Sequence, residues 1–279
     1  MENLKQKEIE IYIHIPFCKK KCNYCDFCSY ENREDFIPEY IKYLLQEIQE
    51  VGEINQKAAE SGIDDLFFVK NIYIGGGTPS FIESSYIVQI LETIKQYYKV
   101  DNQAEITIEV NPGTVTLEKL EDYKRAGVNR LSIGLQSIQE HLLKSIGRIH
   151  NYYDFLDTYR FAREIEFQNI NVDLMIGLPN QTLWEVEDSL GEVISLEPEH
   201  ISVYSLIVEE NTKLQKQIDE GILRLPAEEI ERKMYWKVKE ILEQNEYNHY
   251  EISNFAKNGY ESKHNMNYWN QKEYIGFGV

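Results

Sequence analysis

Short runs of β-branched and apolar residues alternate along this chain with longer stretches in which apolar residues recur every three or four positions. The runs at 8–15, 69–74, 105–110, 130–135, 170–176 and 200–207 predict six strands. The intervening stretches 35–50, 83–98, 117–126, 152–166 and 182–195 predict amphipathic helices, and Gly127 falls where a helix C-cap is expected. This strand-then-helix rhythm is that of a parallel sheet with crossover helices, an α/β fold. Six such units are too few for a closed eightfold barrel. Beyond about residue 208 the rhythm changes to helical stretches at 212–221 and 227–245 and an extended run at 249–252. A core at 1–208 followed by a smaller C-terminal helical or α+β region at 209–279 is therefore expected, although no repeat, low-complexity tract or linker marks the boundary. The final residues, YIGFGV at 274–279, form a strand-and-glycine pattern with no helix after it, and predict that the parent protein continues further.

Composition narrows the class. Of 279 residues, 42% are hydrophobic and 27% charged, which fits an ordinary globular chain and argues against disorder. The longest apolar runs fall far short of a bilayer span. With 47 acidic against 29 basic side chains, the net charge of −18 repels nucleic-acid phosphates and anionic membranes, so neither is an expected partner. Residues 1–10 are polar and lack the charged start and apolar stretch of a secretory signal, which predicts a cytoplasmic protein.

All four cysteines, Cys18, Cys22, Cys25 and Cys28, crowd into one short segment, whereas a disulfide framework would spread them out. The spacing Cys18-x3-Cys22-x2-Cys25 follows the first predicted strand, so three thiolates can converge from one tight loop. A 4Fe-4S cubane takes one ligand per iron, and three protein thiolates leave one iron open to chelate a small molecule. If that molecule is S-adenosylmethionine, an electron from the cluster can break a carbon–sulfur bond and release a carbon radical. Two other readings stay open on spacing alone. With Cys28 as fourth ligand, the run suits an electron-transfer cluster or a structural zinc site, though zinc sites usually draw on two separated cysteine pairs.

The string YIHIPFC at 12–18, continued by Cys22 and Cys25, resembles the signature of the radical SAM superfamily, and of its HemN/HemW branch in particular. Further motifs follow in order: GGGTPS at 75–80, EVNP at 109–112, RLSIGLQS at 130–137, DLMIGLP at 173–179 and HNMNYW at 264–269. The resemblance spans essentially the whole chain and implies a partial (β/α)6 barrel, with which the βα alternation agrees. It also implies a 4Fe-4S cluster on Cys18, Cys22 and Cys25 with S-adenosylmethionine beside it. On this resemblance Gly76, Gly77 and Thr78 border the cofactor, Tyr12 lies near its methionine part and Tyr24 against its adenine, with Glu109, Gln136, Arg148 and Asp173 as further contacts. The residue types suit these tasks. Glycines free the backbone for close approach, carboxylates at strand ends can hold an ammonium or a ribose hydroxyl, Gln136 can bond ribose, and Arg148 offers a fork for a carboxylate.

This branch contains heme chaperones and oxygen-independent coproporphyrinogen III dehydrogenases, and three features lean toward the chaperone. Phe27 stands where the dehydrogenase pattern has a further cysteine, only 17 residues precede Cys18, without the dehydrogenase's N-terminal extension, and HNMNYW matches a heme-binding pattern. His264 is thus the candidate axial ligand to heme, with Tyr268 and Trp269 packing on the porphyrin; His150 and His249 are alternatives. His14 is expected to order the cysteine loop or the cofactor side, and Cys28, where chaperones commonly carry Asn, reads as a bystander thiol. The expected function is a heme chaperone that passes heme to an acceptor protein, with an electron donor needed only for radical chemistry. Porphyrin oxidation, converting two propionates to vinyl groups, is the enzyme alternative, and plain electron transfer a third.

Overall fold

The computed structural model describes residues 4–278. Residues 1–3 and Val279, on which the expectations about the two ends partly rest, lie outside the described residues. In chain order the elements begin with β1 (Gln6–Ile15), two short strands β2 (Phe17–Cys18) and β3 (Tyr30–Glu31), and α1 (Ile37–Glu60). The βα rhythm continues with β4 (Leu66–Gly76), α2 (Ser84–Tyr97), β5 (Lys99–Val110), α3 (Leu117–Ala126), β6 (Arg130–Gln136), α4 (Glu140–Ser145), α5 (Tyr152–Glu164), β7 (Ile170–Ile176), α6 (Leu183–Ser195) and β8 (His200–Ser205). Then come α7 (Lys213–Asp219), α8 (Glu228–Gln244), β9 (Asn248–His249), β10 (Asn254–Ala256), α9 (Lys263–Trp269) and β11 (Tyr274–Phe277).

All six predicted strands form, and they are parallel neighbours in the order β1-β4-β5-β6-β7-β8. Strands from the later segment extend the same sheet at both edges. β11 lies parallel to β1, while β10 runs antiparallel to β8 with β9 beyond it. Gly127 caps α3 at φ +105°, as expected, and Asn151 with Asp154 and Thr182 with Glu185 form reciprocal capping boxes on α5 and α6. Two predicted bounds shift for physical reasons. α1 runs past residue 50 through Gly52, a poor helix former that lets the helix approach α2: a Cβ there would stand 2.8 Å from Tyr97 Cβ. Of the extended run expected at 249–252 only His249 is in a strand, β9; residues 250–253 turn the chain toward β10, where the Glu251 carboxylate accepts the Ser253 N–H at 3.1 Å and the Asn254 side-chain amide.

Strand alternation decides what each face of the sheet carries. Ile9, Ile11, Ile13 and Ile15 of β1, Ile72 and Ile74 of β4, Ile106, Ile108 and Val110 of β5, and Leu131, Ile133 and Leu135 of β6 are buried in one core with the helices. The alternate residues are polar: Tyr12 and His14, Asn71 and Tyr73, Thr107 and Glu109, Arg130 and Ser132, Asn171 and Asp173, His200 and Ser202. This polar face curls around a cavity of about 450 Å³, to which both Tyr73 of β4 and Tyr204 of β8 contribute. The two faces are expected to respond differently to truncation. In urea unfolding of the ligand-free chain, Ile133→Ala should cost about 2–5 kcal/mol. Tyr73→Phe, which removes only a hydroxyl at the cavity, should cost about 0.5–1.5 kcal/mol.

Candidate functional site

The cysteine loop leaves β1 at the open end of the sheet and is held from three directions. On one side the segment after β4 zips onto it, Gly77 N donating to Ile15 O at 2.8 Å and Thr78 N to Phe17 O at 2.9 Å. Gly77 lies so close that a Cβ would meet Phe17 O at 2.9 Å and Cys18 Sγ at 3.0 Å. On a second side Asn23 docks against the end of α4: its N–H donates to Ile146 O at 2.9 Å and its side-chain amide to Ser145 O at 3.1 Å. Gly147, at φ +79°, makes room for it, because a Cβ there would stand 2.7 Å from the Asn23 side chain. On the third, Leu214 N at the start of α7 donates to Asn23 O at 2.7 Å.

All four thiols are free, and Cys18, Cys22 and Cys25 line the cavity. Cys28 does not. It is exposed, with its thiol 3.7 Å from the Tyr30 hydroxyl, and its carbonyl accepts a 2.7 Å bond from His14 Nε2. His14 thereby ties the far end of the loop to β1, its Nδ1 bonded to the Tyr12 hydroxyl at 3.1 Å. Each cavity thiol has a polar neighbour: Thr78 Oγ1 donates to Cys18 Sγ at 3.5 Å, Arg148 Nη1 to Cys22 Sγ at 3.5 Å, and Ser29 Oγ lies 3.8 Å from Cys25 Sγ. Burial pushes the Cys18 thiol above its ordinary pKa, with Cys25 and Cys22 adding to the rise. Among the described residues no three His, Cys, Asp or Glu side chains converge tightly enough for a single metal ion, as a compact zinc site requires. Three thiols around a roomy cavity, one of them beside a guanidinium, are a donor set that suits the larger 4Fe-4S cluster.

The cavity gathers most of the other expected residues. Tyr24, Gly76, Gly77, Thr78, Glu109, Gln136, Arg148 and Asp173 all line it. Arg148 is the hub, because its Nη2 donates to Gly134 O at 2.6 Å and Asn111 Oδ1 at 3.1 Å while its Nε is buried without a partner. Gly134 is obligatory there, since a Cβ would stand 2.5 Å from Nη2. Burial opposes the charge on Arg148, yet Tyr24, Cys22 and Asp173 hold it firmly protonated. Gln136 closes β6 at φ +69°, a conformation that non-glycine residues adopt at a cost and that recurs at functional sites. Glu109 accepts the Tyr73 hydroxyl at 2.9 Å and Gly76 N at 3.2 Å; burial, with Asp173 adding, pushes its carboxyl up to about 7. Asp173, itself raised by burial, accepts Asn171 Nδ2 at 2.7 Å and Ser132 Oγ at 3.2 Å.

Tyr12 and His264 lie outside this lining, in an aromatic stack beside it. The His264 ring packs on Tyr73 with centroids 4.0 Å apart and on Tyr12 at 6.2 Å, and its Nδ1 bonds the Glu10 carboxylate. Asn267 Nδ2 donates to the same carboxylate at 2.8 Å, and Lys263 N to Glu105 Oε1 at 3.0 Å, so α9 is pinned across the polar face. Tyr268, one turn on from His264, packs edge-on against its ring at 4.8 Å and on Tyr274 at 5.0 Å while staying partly exposed, and Trp269 is exposed. Buried His150 donates Nε2 to Leu135 O at 3.1 Å, and burial together with Arg148 lowers its pKa to about 4. His249 stacks on Phe255 at 4.5 Å. Sequence reading passed over Glu10, Asn23, Tyr73 and Asn111. Glu10 and Tyr73 share the strand parity of Tyr12 and Glu109, and that parity was the available signal.

A curled parallel sheet, a three-thiol loop at its open end and a polar cavity beneath define a radical SAM protein, and the model of the radical SAM superfamily matches residues 12–193. The chain is 44% identical over 269 residues to the heme chaperone HemW of Bacillus subtilis, covering 96% of this chain and 69% of that protein. To the heme chaperone HemW of Escherichia coli it is 38% identical, over 99% of this chain and 70% of that one. The chain belongs to the HemW family within the radical SAM superfamily. Among solved structures, the coproporphyrinogen III oxidase HemN of Escherichia coli shares the fold at a TM-score of 0.84 and 24% identity, covering 98% of this chain and 64% of HemN.

Glu109 yields a signed pH dependence. Its folded pKa of about 7 lies above the ordinary 4.5, so the folded state binds the extra proton and stability falls as pH rises through that window. In thermal unfolding of the ligand-free chain between pH 4.5 and 7, Glu109→Gln should flatten this fall relative to the parent. Gly147→Ala, which strains the backbone and displaces Asn23, should lower Tm at every pH.

Proposed function

We propose that this chain is the cluster- and cofactor-binding portion of a cytoplasmic heme chaperone, with Cys18, Cys22 and Cys25 holding a 4Fe-4S cluster, S-adenosylmethionine in the adjoining cavity, and heme as cargo for an acceptor protein. The observation that carries this reading is 44% identity to a heme chaperone across 96% of the chain, joined to a cavity with three cysteine thiols on its wall. When bound, the cluster supplies an iron with an open coordination position and an electron, the latter used only if radical chemistry takes place and a donor protein supplies it.

The chain's own residues divide the work of binding. Arg148, kept charged, steadies the Cys22 thiolate and offers its unpartnered Nε toward the cofactor carboxylate. Glu109 is poised between its two protonation states, and an ammonium group beside it favours the carboxylate, so it suits the cofactor's amino end. Asp173 and Gln136 face the cavity as ribose partners, Gly76, Gly77 and Thr78 form its rim, and Tyr24 offers a ring for the adenine, with Tyr12 behind Tyr73. For heme, Glu10 occupies Nδ1 of His264, so Nε2 is the nitrogen that would hold the iron, and Tyr268 and Trp269 carry partly exposed rings that would pack on the porphyrin.

Phe27, exposed at the cavity mouth, stands where the dehydrogenase pattern has cysteine, and HemN itself is similar only at the level of fold. The test is a hemin titration by absorbance on the anaerobically reconstituted chain, run beside an assay of coproporphyrinogen III decarboxylation. His264→Ala should weaken heme binding about tenfold, equivalent to about 1.4 kcal/mol, with no decarboxylation by either chain. Vinyl product formed with consumption of S-adenosylmethionine would replace this reading by the dehydrogenase.

A further inference from the structure

The cavity contains two arginines in opposite situations. Arg148, near the thiols, bonds Gly134, Asn111 and Cys22. Arg130, at the start of β6, is 2% exposed and lines the same cavity, yet among the described residues its side chain makes no hydrogen bond and no close ion pair: Asp173 feels its charge without bonding it, and its Nε is buried without a partner. Arg130 and Gln136 lie at the two ends of β6, about 20 Å of strand apart. The cavity therefore reaches well below the cluster loop, to a floor where Ser262 and Asn265 join its lining.

Around Arg130 the polar groups are already bonded to one another. Asn171 Nδ2 donates to Ser132 Oγ at 2.8 Å and to Asp173 Oδ1 at 2.7 Å, and Asn171 Oδ1 accepts His200 Nδ1 at 2.6 Å and Ser202 Oγ at 3.0 Å. His200 Nε2 accepts the Tyr250 hydroxyl at 2.8 Å, and Ser202 Oγ also lies 2.6 Å from Asn254 Oδ1. A buried guanidinium outside this network, with only the charge of Asp173 near it, leaves donor groups for a ligand to satisfy.

We propose that Arg130 anchors a second subsite at the floor of the barrel for a carboxylate, either a free small organic acid or the carboxylate arm of a larger ligand in the cavity. The planar fork of a guanidinium matches a carboxylate in two parallel bonds. A dianionic phosphate suits the place less well, because Asp173 and Glu109 line the same cavity and would repel the second charge. The proposal goes beyond the heme reading, and only the hemin comparison below rests on it.

Thermal unfolding of the full chain in sodium propionate, against sodium chloride at equal ionic strength, tests it. The parent chain should gain about 2–4 °C more in propionate than in chloride. Arg130→Gln should lose that gain while its Tm in chloride changes little, because the guanidinium it removes has no hydrogen-bonded partner. Arg130→Lys, which keeps the charge without the fork, should retain less than half of the gain. Hemin titration then separates the sources: weaker hemin binding by Arg130→Gln assigns the subsite to a porphyrin carboxylate, and unchanged binding assigns it to a free acid. A parent chain that responds to propionate no more than to chloride, or an Arg130→Lys chain that folds and responds like the parent, overturns the proposal.

Discussion

Polar side chains can be buried on one face of a parallel sheet only if they bond one another, and that constraint organises this barrel. Helices cover the apolar face, so the alternate residues of every strand turn into a shared interior. There Ser132, Asn171, Asp173, His200 and Ser202 saturate each other across three strands. Burial beside Arg130 keeps His200 neutral, well below the ordinary range of an imidazole. Among the described residues that line the cavity, Arg148 Nε and Arg130 Nε are the buried side-chain atoms left without a partner, the places where a ligand can supply what the protein does not.

The same economy explains how the cysteine loop is held. Its backbone is shared with the strand extension after β4 on one side and with α4 and α7 on the other, so three thiols line one cavity although the loop contains almost no regular structure of its own. Cys28 is itself the point where His14 grips the loop, and its exposed thiol lies apart from the three that line the cavity. α9 closes the opposite end through Glu10 and Glu105, residues of β1 and β5. Within the HNMNYW segment His264 and Asn267 are engaged with the sheet, Tyr268 packs on His264 with part of its ring exposed, and Trp269 meets solvent.

Much of this was legible in the order of residues. Six strands followed from apolar runs whose period of two also sorts Ile108 from Glu109 and Ile133 from Ser132. The three cavity cysteines were legible from spacing, and the site carboxylates from their motifs. Contacts that depend on distant pairing were not. Nothing near Glu10 announces a partner 254 residues away, and β11 joins β1 only as an edge strand contributed by the far end of the chain. α4 is six residues long, too short for a periodic pattern to show, though its end supplies the dock for Asn23. Arg130 lay within a quoted motif, but its isolation becomes visible only once its neighbours are seen to have spent their bonds on each other.

The account turns on three thiolates holding a cluster with one iron left for a small molecule. Electron paramagnetic resonance of the reconstituted, chemically reduced chain, recorded before and after addition of S-adenosylmethionine, addresses that claim directly. A signal whose g-values shift on addition, in the parent and equally in Cys28→Ala, is the expected result. A spectrum indifferent to S-adenosylmethionine, or a cluster lost with Cys28, would contradict it.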